Sequence, residues 1–268
     1  MIRAAVAGAC GRMGNAIIQA IGATEGVELS GALEHEEHPL IGQEISLPNE
    51  SPVTIVSDPK NLSRDLDVLI DFTNPEASLG NLEACAELGI CAVIGTTGLG
   101  EEQKEALRMF ALRTPTVFSP NMSVGVNLLF KLAATAAAAL GDDYDVEIVE
   151  AHHRMKKDAP SGTALGLAEV VAQALGRNLA DNAVYSRQGM IGERTTNEIG
   201  IQTIRAGDIV GEHTLLLAGP GERIELIHRA HSRDNFARGA IRAALWIVGK
   251  EPGLYSMAEV LGLNKFND

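Results

Sequence analysis

Nine residues near the N-terminus restrict the fold more than any other segment: Val6-Ala7-Gly8-Ala9-Cys10-Gly11-Arg12-Met13-Gly14. A short apolar run, residues 2–7, leads into them, and Met13, Ile17, Ile18 and Ile21 follow at helical spacing. A strand that enters a helix through a glycine turn is the opening unit of an open α/β sheet. The helix N-terminus there presents unpaired N–H groups, which suit phosphate. Gly11 and Gly14 fit the last two glycines of the dinucleotide fingerprint; Ala9 stands where its first glycine usually is, with Gly8 before it. Small residues at 8, 9 and 11 still admit a pyrophosphate. Glu34 follows Gly14 by 20 residues, at the end of the next strand, where a carboxylate would accept ribose hydroxyls. Glycine turns also form for purely geometric reasons. Here a strand before, a helix after and an acid at the right distance favour dinucleotide binding.

The rest of the first third repeats the alternation. Strands are expected at 27–33, 68–71, 90–94 and 116–119, with helices at 75–88 and 101–112. This predicts a Rossmann-like doubly wound parallel sheet. Near residue 122 the pattern changes. A helix over 124–140 precedes a strand at 145–152 and a helix over 161–175. Strands at 199–205, 212–218 and 222–229 then come with little helix between them, the last two joined by the turn Gly219-Pro220-Gly221. A second α+β domain with a mixed or antiparallel sheet is expected. Residues 1–123, joined by 234–268, would bind the dinucleotide; residues 124–233 would bind substrate and join subunits. A helix is expected at 235–248, then a tail with a short helical pattern.

Two loops at carboxyl ends of strands, where open α/β sheets bind ligands, suit a nicotinamide and its ribose. One holds Gly95, Thr96 and Thr97; the other holds Ser119, Pro120, Asn121 and Met122. A plain glycine turn and a helix cap at Ser123 account for them equally well. The segment from Glu150 to Thr163 is the most informative. His152, His153, Arg154, Lys156 and Lys157 put five basic side chains within six residues of a chain whose net charge is −13. Ser161, Gly162 and Thr163 then open a helix, a natural cradle for a carboxylate. Lysine and histidine beside it add charge for a second carboxylate and a proton donor. The expected ligand is a small dicarboxylate. A solvated basic face is the simpler alternative. His213, His228 and His231 read as strand-surface residues, and Arg205-Ala206-Gly207-Asp208 is left open between turn and interface.

Composition excludes several classes. The acidic balance and 4% aromatic content oppose a nucleic-acid or polybasic membrane partner. Three cysteines, Cys10, Cys85 and Cys91, show no ligand spacing and read as small buried thiols of a reducing cytoplasm; no metal is expected. The N-terminal apolar stretch reads as too short for a signal peptide, and the alanine-rich run 132–140 as too short to span a bilayer.

Together these segments carry a resemblance. The run Glu-Ala-His-His-Arg-x-Lys-x-Asp-Ala-Pro-Ser-Gly-Thr-Ala at 150–164, with 6–14, Asp71-Phe72-Thr73, 95–98, 121–127 and 205–213, resembles the dihydrodipicolinate reductase family over essentially the whole chain. The resemblance implies that Gly8, Ala9, Cys10, Gly11, Arg12 and Met13 bind the pyrophosphate, and Glu34 the adenine ribose. It implies the nicotinamide end at Gly95, Thr96, Thr97, Ser119, Pro120, Asn121 and Met122. His152 would donate or accept the proton, with Lys156 as second donor; His153, Ser161, Gly162 and Thr163 would hold substrate carboxylates. It implies a homotetramer and reduction of a cyclic dicarboxylate by NADH or NADPH. The family usually has an arginine after the ribose acid. His35 stands there, so NADH is the expected preference, with NADPH left possible. A semialdehyde-type dehydrogenase or an NAD-sensing regulator are the alternatives, but no catalytic cysteine or basic DNA-reading helix is evident.

Overall fold

The computed structural model describes residues 1–48, 51–63 and 65–267. The chain forms two compact units, Met1–Val124 with Arg233–Asp268, and Gly125–Ser232.

In the first unit, β1 (Ile2–Ala7) leads through the glycine loop to α1 (Arg12–Gly22) and β2 (Val27–Leu33). Two short strands follow, β3 (Glu44–Ile45) and β4 (Val53–Val56). Then come β5 (Val68–Asp71), α2 (Pro75–Leu88), β6 (Cys91–Ile94), α3 (Glu101–Ala111) and β7 (Pro115–Phe118). The helix α4 (Val124–Leu140) leads into the second unit.

There β8 (Asp145–His152) is followed by α5 (Gly162–Ala174), α6 (Leu179–Asn182), β9 (Ala183–Val184), β10 (Ile199–Arg205), β11 (Gly211–Gly219) and β12 (Glu222–Ala230). The chain returns to the first unit as α7 (Asp234–Ile247), β13 (Gly253–Tyr255) and α8 (Met257–Val260).

The first sheet runs β13-β7-β6-β5-β1-β2-β4-β3, parallel except for the β3–β4 pair. Its central strands are apolar on both faces because helices cover both. Ile17, Ile18 and Ile21 of α1 share one core with Ala237, Ala240, Ala244 and Ile247 of α7. Leu82 and Cys85 of α2 pack with Leu107 of α3 in the other core. Several short elements depart from the sequence reading. β3 and β4 are too short to show a period. The tail after α7 contributes β13, which pairs in parallel with β7 before the expected short helix.

The second sheet runs β12-β11-β8-β10-β9. β8, β10 and β9 are parallel, while β11 and β12 run antiparallel to them, so the sheet is mixed. Val146, Ile148, Leu215, Leu217 and Ile201 form its inner face against Leu167, Ala168 and Val171 of α5. The crossover from β8 through α5 to β10 sets the start of α5 beyond the C-terminal end of β8. α4 and the turn after it, Val124–Asp143, are long and apolar enough to cross a membrane by length and composition. The alanine run alone is shorter, but the helix begins eight residues earlier, at Val124. Its Leu129, Ala133 and Ala137 are buried in the second unit's core.

Candidate functional sites in each unit

Each unit carries one cluster. In the first, Gly8 takes φ of 70° at the end of β1, which only glycine adopts without strain. A Cβ on Gly14 would lie 2.1 Å from the Gly8 carbonyl oxygen, so the α1 backbone approaches the loop closely. No side chain caps α1 at Gly11. Its first N–H groups therefore stay available for an anion, and a dinucleotide's pyrophosphate fits. Ala9 is buried and its N–H bonds to Leu33 O at 3.1 Å. Arg12 is exposed and Met13 half-buried against the core. Glu34 turns back on the loop: its carboxylate accepts from the Cys10 N–H at 3.0 Å and the His35 N–H at 3.1 Å. A cleft of about 320 Å³ opens here, lined by Gly8, Gly11, Glu34, His35, Thr73 and Asn74 among others. Cys10 is half-exposed rather than buried, unlike Cys85 and Cys91, and packs only partly against the core from its place in the glycine loop.

The expected nicotinamide loops divide. Thr96 is buried, and its hydroxyl bonds to Asp71 at 3.2 Å while accepting from Ser78 at 2.7 Å and the Thr73 N–H at 3.0 Å. It belongs to a polar cluster around the fully buried Asp71 that also takes in Asn81 at 2.8 Å. Gly95 packs against the Phe72 ring, which would lie 2.3 Å from a Cβ there. Thr97 and Pro120 are exposed. Ser119 bonds to Asn121 O at 2.8 Å, and Asn121 accepts from the Ser123 N–H at 2.9 Å. The Met122 side chain lies in the core.

The second cluster is built around a residue that the sequence reading did not single out. Glu150, fully buried near the end of β8, accepts from His152 Nδ1 at 2.6 Å and from the Ser161 N–H at 3.0 Å. Arg205, at the end of β10, grips both its oxygens at 2.8 Å, and Arg205 also bonds to the Asp158 carbonyl at 2.8 Å. Burial alone would raise the Glu150 carboxyl; Arg205, His152 and the Ser161 N–H outweigh it and hold it down at about 2. Being ionised, Glu150 takes the Nδ1 proton of His152 in its hydrogen bond and leaves Nε2 as the free nitrogen. Gly211 leaves room beside it: a Cβ there would lie 3.0 Å from Nε2. Burial, with Lys156 and Arg205 nearby, lowers the His152 pKa against the pull of Glu150, so its resting form is neutral.

Lys156 bonds to both oxygens of Asp158, at 2.9 and 2.8 Å. His153 lies just past β8 with Nδ1 buried and no protein partner. Ser161 caps α5 by accepting from the Ala164 N–H at 3.1 Å, and Gly162 and Thr163 form its first turn. The structure thus brings His152, Ser161 and Arg205 around one carboxylate, with Lys156 near enough to His152 to act on its charge.

His213 is a correction. It is not on the surface but 4% exposed, 3.0 Å from the Ser161 hydroxyl, with its ring edge-on to His152 at 5.2 Å. Burial is the main reason its pKa is pushed down to about 3. Its place on β11 has the parity of Leu215 and Leu217, a sequence signal that marks the inner face. His228 is half-buried opposite it on β12, and His231 is exposed.

Comparison with known proteins agrees over the whole length. Residues 2–122 match the model for the dihydrodipicolinate reductase N-terminus, and residues 125–261 the model for its C-terminus. The chain is 58% identical over 266 residues to the 4-hydroxy-tetrahydrodipicolinate reductase of Syntrophobacter fumaroxidans, covering 98% of this chain and 100% of that one. It is 56% identical, with the same coverage, to the reductase of Syntrophotalea carbinolica. A solved dipicolinate-bound dihydrodipicolinate reductase from Paenisporosarcina sp. TG-14 superposes with a TM-score of 0.78 at 27% identity, covering 97% of this chain and 98% of that one. With both halves matched and more than half of all positions identical to full-length relatives, the chain belongs to the dihydrodipicolinate reductase family.

Proposed function

We propose that the protein reduces 4-hydroxy-tetrahydrodipicolinate to tetrahydrodipicolinate, with loss of water, in the diaminopimelate route to lysine. The full-length identity to reductases of that name carries this reading. The reaction uses a reduced pyridine nucleotide, which supplies the hydride for a ring carbon of the substrate.

The first unit's loop, Gly8 to Met13, would hold the pyrophosphate, with Glu34 on the adenine ribose. The loops at 95–97 and 119–122 would hold the nicotinamide end, chiefly through backbone, since Thr96 and Met122 turn inward. NADH is the preferred form on this reading: His35 beside Glu34 lacks the planar, permanent charge that holds a 2′-phosphate.

In the second unit, the start of α5 with Gly162 and Thr163 would take one substrate carboxylate, and His153 and Lys156 the other. His152 rests neutral, its ring fixed by Glu150. Arrival of a dianion favours the protonated imidazole, so the proton is loaded on Nε2 when substrate is present. Lys156 is the second donor. Substrate carboxylates displace Asp158 from its ammonium, which keeps that charge paired before binding.

A homotetramer in the cytoplasm completes the proposal. Val149, Thr214 and Ile227 stand in register on the outer face of the second sheet, none of them buried, and the edge strand β12 is exposed along most of its length. Such a face suits a second copy of itself.

Steady-state kinetics test the residue roles. His152→Gln or Lys156→Ala is expected to lower kcat about 100-fold or more while NADH affinity changes less than about twofold. Unchanged kcat in both variants would remove them from proton transfer.

A further inference from the structure

Cys10, Glu34 and His38 bring a thiol, a carboxylate and an imidazole together where two strand-end loops meet. Their ligand atoms lie within 4.8 Å of one another, and all three residues are half-buried. The Cys10 thiol faces the Glu34 carboxylate. The arrangement is fixed by backbone: Ala9 N to Leu33 O at 3.1 Å, Cys10 N to Glu34 Oε2 at 3.0 Å, and His38 N to His35 O at 3.0 Å. Sulfur, nitrogen and oxygen from three side chains, with one position open to solvent, is the donor set of an open tetrahedral zinc site. Tetrahedral zinc needs ligand atoms roughly 3.2–3.7 Å apart. Half-exposed side chains on two loops reach that by small rotations, at the expense of the weak 3.3 Å bond from the Leu40 N–H to His38 Nδ1.

We propose that these residues bind one zinc ion, and that zinc and the dinucleotide exclude one another. Binding converts the Cys10 thiol to a metal-bound thiolate, its proton passing to solvent. The ion takes the Glu34 oxygens that the ribose hydroxyls would otherwise use. This second part rests on the placement of the ribose under the proposed function; the donor set does not.

Cobalt(II) is the probe, since thiolate ligation gives a charge-transfer band in the near ultraviolet. The nucleotide-free protein is expected to show the band at one equivalent of Co²⁺, and zinc should abolish it. Cys10→Ser should lose the band, and His38→Ala should weaken Co²⁺ binding at least tenfold. No band, or a band unaffected by both substitutions, overturns the site. NADH added first should suppress the band. A band that persists with NADH shown bound by its fluorescence overturns the exclusion and the ribose placement, and leaves the metal site standing. Protein that binds Co²⁺ but not NADH counts against the cofactor reading instead.

Discussion

The polar cluster of the second unit is organised by one buried carboxylate, Glu150, more than by the basic residues that announce it. Glu150 is visible in sequence only as the residue two before His152, which puts both on one face of a strand. Arg205, 55 residues away, becomes its partner only because β10 lies beside β8, a pairing no local pattern reports. His213 was legible, through its parity with Leu215 and Leu217, and was missed because a histidine reads as polar. Its burial has a consequence for stability. Folded His213 takes a proton only near pH 3, whereas an unfolded histidine does so near 6.5. Between those values the unfolded chain holds the extra proton, so stability falls as pH drops from 6.5. The slope is about 1.4 kcal/mol per pH unit for each such group. His152 and His228, whose pKa values are also lowered, add in the upper part of that window. Replacing His213 with Gln, which keeps a polar partner for Ser161, should lessen the slope by nearly one proton between about pH 6 and pH 5. Denaturant unfolding across that range would show it; an unchanged slope contradicts a buried neutral His213.

At the scale of elements, the readable parts were those with strong local physics. Apolar strands, glycine stops and the Pro75 and Ser161 starts set α2 and α5 to within about a residue. What was not legible were pairings decided by tertiary contact: β3, β4, β9 and the edge strand β13. The start of α5 shows how an element serves both fold and site. Ser161 caps the helix, bonds Glu150 through its N–H, and meets His213 through its hydroxyl. Ser161→Ala keeps the backbone bond to Glu150 and loses the cap and the contact with His213. Unfolding free energy should fall by about 1–2 kcal/mol. Affinity for a dicarboxylate such as dipicolinate should weaken with it, as the first turn of α5 frays. Titration calorimetry and chemical denaturation measure both; a variant as stable and as tight as the parent would show that the cap is idle.

At the scale of the molecule, the proposed function divides the work between the two units, one for a dinucleotide and one for a small dianion. The boundary between the units was legible because the alternation of strand and helix stops near residue 122. The outer face of the second sheet was not, since its half-exposed apolar residues look like ordinary alternation until the sheet order is known. Ile227→Arg places a charge on that face beside Thr214. It is expected to shift the mass measured by light scattering from four copies to fewer, leaving the fold intact. A monomeric parent, or a variant that still assembles fully, contradicts the proposed interface.

The reaction to test is reduction of the cyclic imine made from pyruvate and aspartate semialdehyde. The direct measurement is NADH oxidation, followed by absorbance, when that substrate is generated in place, with NADPH in parallel. Oxidation is expected to require both precursors and to run more efficiently with NADH. Oxidation favouring NADPH would overturn the role given to His35. No oxidation with either nucleotide, from protein that binds NADH, would contradict the reductase itself.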